Sequence, residues 1–156
     1  MGTVEMKPDQ VRELLRREAL PGEYERIRAL WKAHSIAEDG RDIAGLLATL
    51  TPDCVYEVVT TGHRWEGHSG ARDFYAGLLG AFPDVRFELT NIVIGPQGVC
   101  EEALLTATHA GEWLGLPATG RYVDFGVVIF FPWDRERGLF AGERIHFDPV
   151  RAGLTA

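Results

Sequence analysis

The segment Glu143-Arg-Ile-His-Phe-Asp148 closes the last strand-like run of the chain and gathers an acid, an imidazole and a guanidinium within a few residues. Side chains alternate faces along a strand, so Arg144, His146 and Asp148 share one face while Glu143, Ile145 and Phe147 share the other. If the first row lines an apolar cavity, desolvation raises the Asp148 pKa and the neighbouring cations lower it, which tunes a carboxylate for proton transfer. Asp148 is therefore the expected catalytic acid/base. His146 is its expected partner at a developing oxyanion, and Arg144 a fixed charge near the substrate. The plainer alternative is a solvated strand end, or an ordinary ion pair between Arg144 and Asp148.

Other residues suit a binding pocket. His34 lies on the inward side of a helical pattern, as a satisfied core histidine or as a group facing Asp148. Tyr56, Trp65, Phe74 and Trp113 offer stacking surface, the first two with hydrogen-bonding handles, and His109 is a further candidate contact. The five histidines show no metal-site spacing, no Cys-x-x-Cys is present, and no metal is expected. Phosphate loops, dinucleotide fingerprints and the nucleophile elbow of serine hydrolases are also missing from the sequence.

The 156 residues suffice for one domain, with a net charge of −7 that disfavours nucleic acid and anionic membranes as partners. No secretory leader is expected from the charged residues 1–17, and the apolar run 125–133 is too short to span a bilayer. A cytoplasmic protein with Cys54 and Cys100 reduced is the resulting expectation.

Apolar residues at three- and four-residue spacing predict a helix over 23–38, with the charge run from Glu38 to Asp42 as a solvated connection. Asp42 is the expected cap of a short helix carrying Leu46, Leu47 and Leu50. A strand over 54–60 and a short return strand over 64–66 follow, then a helix capped by Ser69 that places Phe74, Leu78 and Phe82 on one face. Four β-rich runs, 85–94, 99–110, 121–131 and 138–148, complete the chain. Helices first and long strands second predict an α+β fold, a curved antiparallel sheet wrapped around the N-terminal helices. Residues 1–22 form a helical extension, 23–150 the domain and 151–156 a tail. The space between helices and sheet would hold a hydrophobic small molecule. Apolar outward positions on the closing strands predict a homodimer through the outer sheet face.

Three segments, Gly62-His-Arg-Trp-Glu-Gly-His68, Phe82-Pro-Asp84 and Thr108-His-Ala-Gly-Glu-Trp-Leu-Gly-Leu-Pro-Ala-Thr-Gly120, together with the strand ending in Asp148, resemble the SnoaL-like polyketide cyclases. This family lies within the nuclear-transport-factor-two-like superfamily of cone-shaped α+β barrels. The resemblance covers residues 24–150. It implies acid/base chemistry on a hydrophobic carbonyl compound, an aldol-type cyclisation or isomerisation, with no cofactor. It also places the catalytic aspartate at Asp148. The family's assisting histidine would fall in Phe125–Phe130, which contains none. Epoxide opening or another hydrolysis in the same cone, or ligand binding without catalysis, are the alternative functions.

Overall fold

The computed structural model describes residues 6–155; residues 1–5 of the expected extension and residue 156 of the tail lie outside the described part. Four helices, α1 (Pro8–Arg16), α2 (Glu23–Asp39), α3 (Ile43–Ala48) and α4 (Gly67–Ala81), accompany six strands. The strands are β1 (Leu50–Val58), β2 (His63–Glu66), β3 (Arg86–Gly95), β4 (Gly98–Thr108), β5 (Tyr122–Asp134) and β6 (Leu139–His146). They form one open sheet in the order β2-β1-β6-β5-β4-β3. The expected meander is present from β3 to β6. The sheet is not wholly antiparallel, however, because β1 runs parallel to β6.

Local chemistry explains most boundaries. Asp42 caps α3 as expected, its carboxylate accepting from Gly45 N at 2.9 Å. The strand expected from Cys54 begins earlier, at Leu50, and passes through Pro52, where the β1–β6 register shifts between Leu50 and Val55. A proline is tolerated there because the irregular pairing makes no use of its missing N–H. Helix α4 begins at Gly67, whose φ of +68° suits glycine, so Ser69 lies inside the helix rather than capping it.

The start of α2 is tied to the far end of the sheet by Glu23. Its fully buried carboxylate accepts from Arg135 Nε at 2.6 Å and Nη2 at 2.8 Å, from Trp133 Nε1 at 3.0 Å and from Leu20 N at 2.9 Å. These bonds, Arg135 foremost, hold the Glu23 pKa down at about 2 against the opposing effect of burial. Helix α2 is thereby pinned across the open sheet with His34 turned inward, buried among Phe131 and Phe140. No helix among the described residues is long and apolar enough to cross a membrane.

Strand β6 alternates as expected, but with the opposite face inward. Glu143, Ile145 and Phe147 are buried, Arg144 is half-buried, and His146 and Asp148 are exposed. Burying Ile145 and Phe147 contributes roughly 1.5–3 kcal/mol each, and the alternative face would have carried three ionisable groups inward. The hydrophobic pair thus decides the orientation, and the polar row expected in the cavity faces out.

Candidate active site

The inward face of β6 carries Glu143 to the centre of a buried polar cluster built from four elements. From α2 comes His34, whose Nε2 lies 2.9 Å from Glu143 Oε1. From β1 comes Tyr56, and from α4 Tyr75, whose hydroxyls donate to the same oxygen at 3.0 and 3.1 Å. The two hydroxyls are 3.0 Å apart, and Tyr75 Oη also lies 3.3 Å from His34 Nε2.

The hydrogen-bond pattern fixes the histidine tautomer. Thr49 Oγ1 spends its one proton on Leu46 O at 2.6 Å, so it can only accept from His34 Nδ1, 2.7 Å away. Nε2 therefore meets Glu143 with either a lone pair or an added proton. The imidazole and the carboxylate meet here out of contact with water.

Two more carboxyl groups approach this pair. Glu38 sits one helical turn beyond His34, and Glu101 on β4 accepts from Trp31 Nε1 at 2.7 Å. Burial first, and then the charges of Glu143 and Glu101, push the Glu38 pKa well above the usual carboxylate range. Burial and the Glu143 charge raise Glu101 to about 7, opposed by the Trp31 bond. Burial, followed by Glu143, raises both tyrosines as well.

Glu38 and Phe87 border two small cavities. One, of about 20 Å³, is otherwise apolar apart from Glu143, its walls including Phe74, Trp113, Phe125 and Phe147. The other, of about 40 Å³, is bounded by Trp31, His34, Glu101 and Phe131. Each has room for about one or two waters. A larger molecule must part these walls, and the junction of Glu38 with Phe87 is where the helix layer meets the sheet edge.

The SnoaL-like polyketide cyclase model matches residues 24–152. The chain belongs to the SnoaL-like polyketide cyclase family. Among solved structures it is similar to a candidate SnoaL-like polyketide cyclase from Jannaschia sp., with 25% identity, TM-score 0.68, and coverage of 86% of this chain and 92% of that one. It is also similar to AclR, a candidate hydroxylase from Streptomyces galilaeus, at 23% identity and TM-score 0.66 over 85% and 99% of the two chains. TerC, crystallised with polyporic acid, shares the fold at 17% identity and TM-score 0.64 over 80% and 93%. No curated protein matches in sequence.

Within this SnoaL-like cone the expected site residues separate. His34 and Tyr56 belong to the central cluster, and Phe74 and Trp113 line the apolar cavity. Trp65 packs behind Phe74, ring centres 5.2 Å apart, without lining either cavity. His109 is buried against Phe82 at 5.2 Å, with Nδ1 3.2 Å from Thr119 Oγ1, and supports the following turn. Burial lowers its pKa. Arg144 reaches Glu57 Oε2 at 3.5 Å instead of Asp148. Asp148 Oδ1 accepts from Val150 N at 2.9 Å and Arg151 N at 3.2 Å, stabilising the turn after the sheet. With His146 it borders an open outer groove instead of the cone.

Sequence reasoning missed Glu143, Glu38 and Glu101, and did not set Tyr75 apart from the other aromatic residues around a pocket. The i, i+4 pair His34/Glu38 was a usable signal, obscured by assigning Glu38 to a solvated charge run. Donor atoms of His34, Glu38 and Glu143, whose spacing along the chain did not suggest a metal site, all lie within 4.8 Å of one another.

Glu101 makes the fold pH-sensitive. Its folded pKa of about 7 exceeds the ordinary value of 4.5, so the folded state favours the protonated form. The associated stability is present below pH 4.5 and is lost as pH rises through 7, amounting to about 3 kcal/mol. Urea denaturation at acidic and alkaline pH should show Glu101→Gln flattening this decline. An unchanged slope would remove Glu101 as its source.

Proposed function

We propose that this SnoaL-like chain catalyses proton transfer next to a carbonyl of a hydrophobic small molecule, in an aldol-type cyclisation or isomerisation. The His34–Glu143 pair acts as its general acid/base. The observation that carries this reading is the 2.9 Å contact between those two side chains at the polar end of an otherwise apolar cavity. Glu143, paired with His34, takes the proton α to the carbonyl; the cluster returns a proton to the new oxygen, with the Tyr56 and Tyr75 hydroxyls as donors to that oxygen. The similarity to the candidate cyclase from Jannaschia supports the reaction class.

The test is exchange of α-protons for deuterium, followed by proton NMR, in a panel of aromatic β-diketones and β-keto esters. Exchange that depends on the wild-type protein and disappears in His34→Gln supports the reading. Binding of these compounds without exchange would leave a ligand-binding protein instead.

One observation favours hydrolysis, including epoxide opening, as a second reading. The 40 Å³ cavity can hold a water against the Glu38 and Glu101 carboxyls, where a base could activate it. Conversion of an epoxide panel to diols would select it.

The same proposal includes a cytoplasmic homodimer. Cys54 and Cys100 are both free thiols, as a reducing compartment would keep them. Ile145 and Phe147 of the closing strand, expected among the outward apolar positions, face inward and take no part in such an interface. Yet Val93, Leu104, Val128 and Phe130 lie on the outer side of β3–β5, accessible to a second copy. Sedimentation equilibrium should show a dimer that Val128→Glu weakens, and a monomeric wild type would refute it.

A further inference from the structure

We infer that His34, Glu38 and Glu143 form a binding site for one divalent transition-metal ion of the zinc class. An imidazole nitrogen and two carboxylate oxygens are donors that zinc accepts, and all three are within 4.8 Å of one another. They come from two elements in a favourable arrangement. His34 and Glu38 stand one turn apart on the same face of α2, and Glu143 approaches from β6.

Two further observations distinguish this group from a chance meeting of acids. First, the outer hydrogen bonds already orient the histidine as a ligand: Nδ1–H is held by Thr49, which itself donates to Leu46 O, so in the neutral ring Nε2 carries the lone pair that a metal would take. Metal-ligating histidines are oriented by this kind of second contact. Second, the three described hydrogen bonds to Glu143 all end on Oε1, and none ends on Oε2, although the side chain is only 3% exposed. That unused oxygen belongs to a group lining the 20 Å³ cavity, which can supply one water as a further ligand.

Charge points the same way. Among the described residues no Lys or Arg lines either cavity, while Glu38, Asp39, Glu101 and Glu143 border one or the other. A divalent cation at the centre would offset the mutual repulsion of Glu38 and Glu143, whose two charges match its own.

The inference rests on the proposed function for the location of the site, not for its chemistry. A bound cation and the proton that the proposed reaction moves would compete for the same atoms, so the zinc-loaded protein should be catalytically silent.

The test titrates chelator-stripped full-length protein with zinc chloride by calorimetry and with cobalt chloride by visible absorption. One equivalent of zinc should bind with a Kd below roughly 10 μM, and cobalt should give the intense d–d bands of a low-coordinate site. Glu38→Gln should weaken zinc at least about tenfold. Glu102→Gln, on the outer side of β4, should leave it unchanged. Glu38 is half-buried and its carboxylate accepts none of the described hydrogen bonds, so the Glu38→Gln protein should fold, as circular dichroism would verify. No stoichiometric binding at roughly 100 μM zinc, or equal binding by Glu38→Gln, would overturn the inference. Proton exchange by zinc-free protein without zinc binding refutes only the metal site. Zinc binding without exchange refutes only the acid/base reading.

Discussion

Glu143→Gln should reduce α-proton exchange by about a thousandfold while leaving the far-ultraviolet circular dichroism unchanged. The amide preserves the side-chain volume, and its oxygen can still accept from Tyr56 and Tyr75, whose bonds in the wild type are 3.0 and 3.1 Å. Its nitrogen can donate to His34 Nε2 in the neutral tautomer that Thr49 enforces. The network therefore remains satisfied, but the carboxylate that would take the proton is gone. Asp148→Asn, by contrast, should change exchange less than about threefold, because Asp148 is exposed and accepts backbone hydrogen bonds in a turn. Loss of exchange in Asp148→Asn with retention in Glu143→Gln would return the chemistry to the end of the strand and defeat the assignment to the cone.

Gly142→Ala should destabilise the protein by more than about 4 kcal/mol, enough to prevent accumulation of soluble folded protein at physiological temperature. Gly142 has φ of +121°, and a Cβ there would stand 1.9 Å from Val55 O and 2.6 Å from Val55 N. These are backbone atoms of β1, so a rotamer change cannot relieve the clash. Separating the strands would break the parallel β1–β6 pairing around Gly142–Val55, next to the residue that carries the Glu143 carboxyl. Differential scanning calorimetry and soluble yield test this; a melting temperature within about 5 °C of wild type would show that the pairing is not required.

Much of the architecture was legible because it depends on local rules. The α2 pattern from Tyr24 to Glu38, the Asp42 cap and the polar turns between long apolar strands are short-range signals, and the structure matches them closely. The motifs around Gly62–His68 and Thr108–Gly120 led to the family that the model match over residues 24–152 shows. Two features depended on distant parts of the chain. The parallel pairing of β1 with β6 joins segments separated by about ninety residues, which no short-range periodicity can report. The burial of Glu23 at the start of an amphipathic helix likewise depends on Arg135 and Trp133 from the opposite end of the sequence.

The candidate site shows the same division. Alternation along Glu143–Asp148 determined that two rows exist, and hydrophobicity made Ile145 and Phe147 the better candidates for burial. Yet a row of Arg, His and Asp was more conspicuous as chemistry, so the wrong face was chosen for the cavity. What the sequence by itself determined is the α+β succession, the inward placement of His34 and Tyr56, and the family. Only the tertiary structure decided that Glu143 faces those two residues and that Asp148 faces out. A buried carboxylate is tolerable when hydrogen-bond partners from separate elements satisfy it, and here those partners come from α2, β1 and α4. Their convergence is a property of packing, absent from the spacing along any one strand.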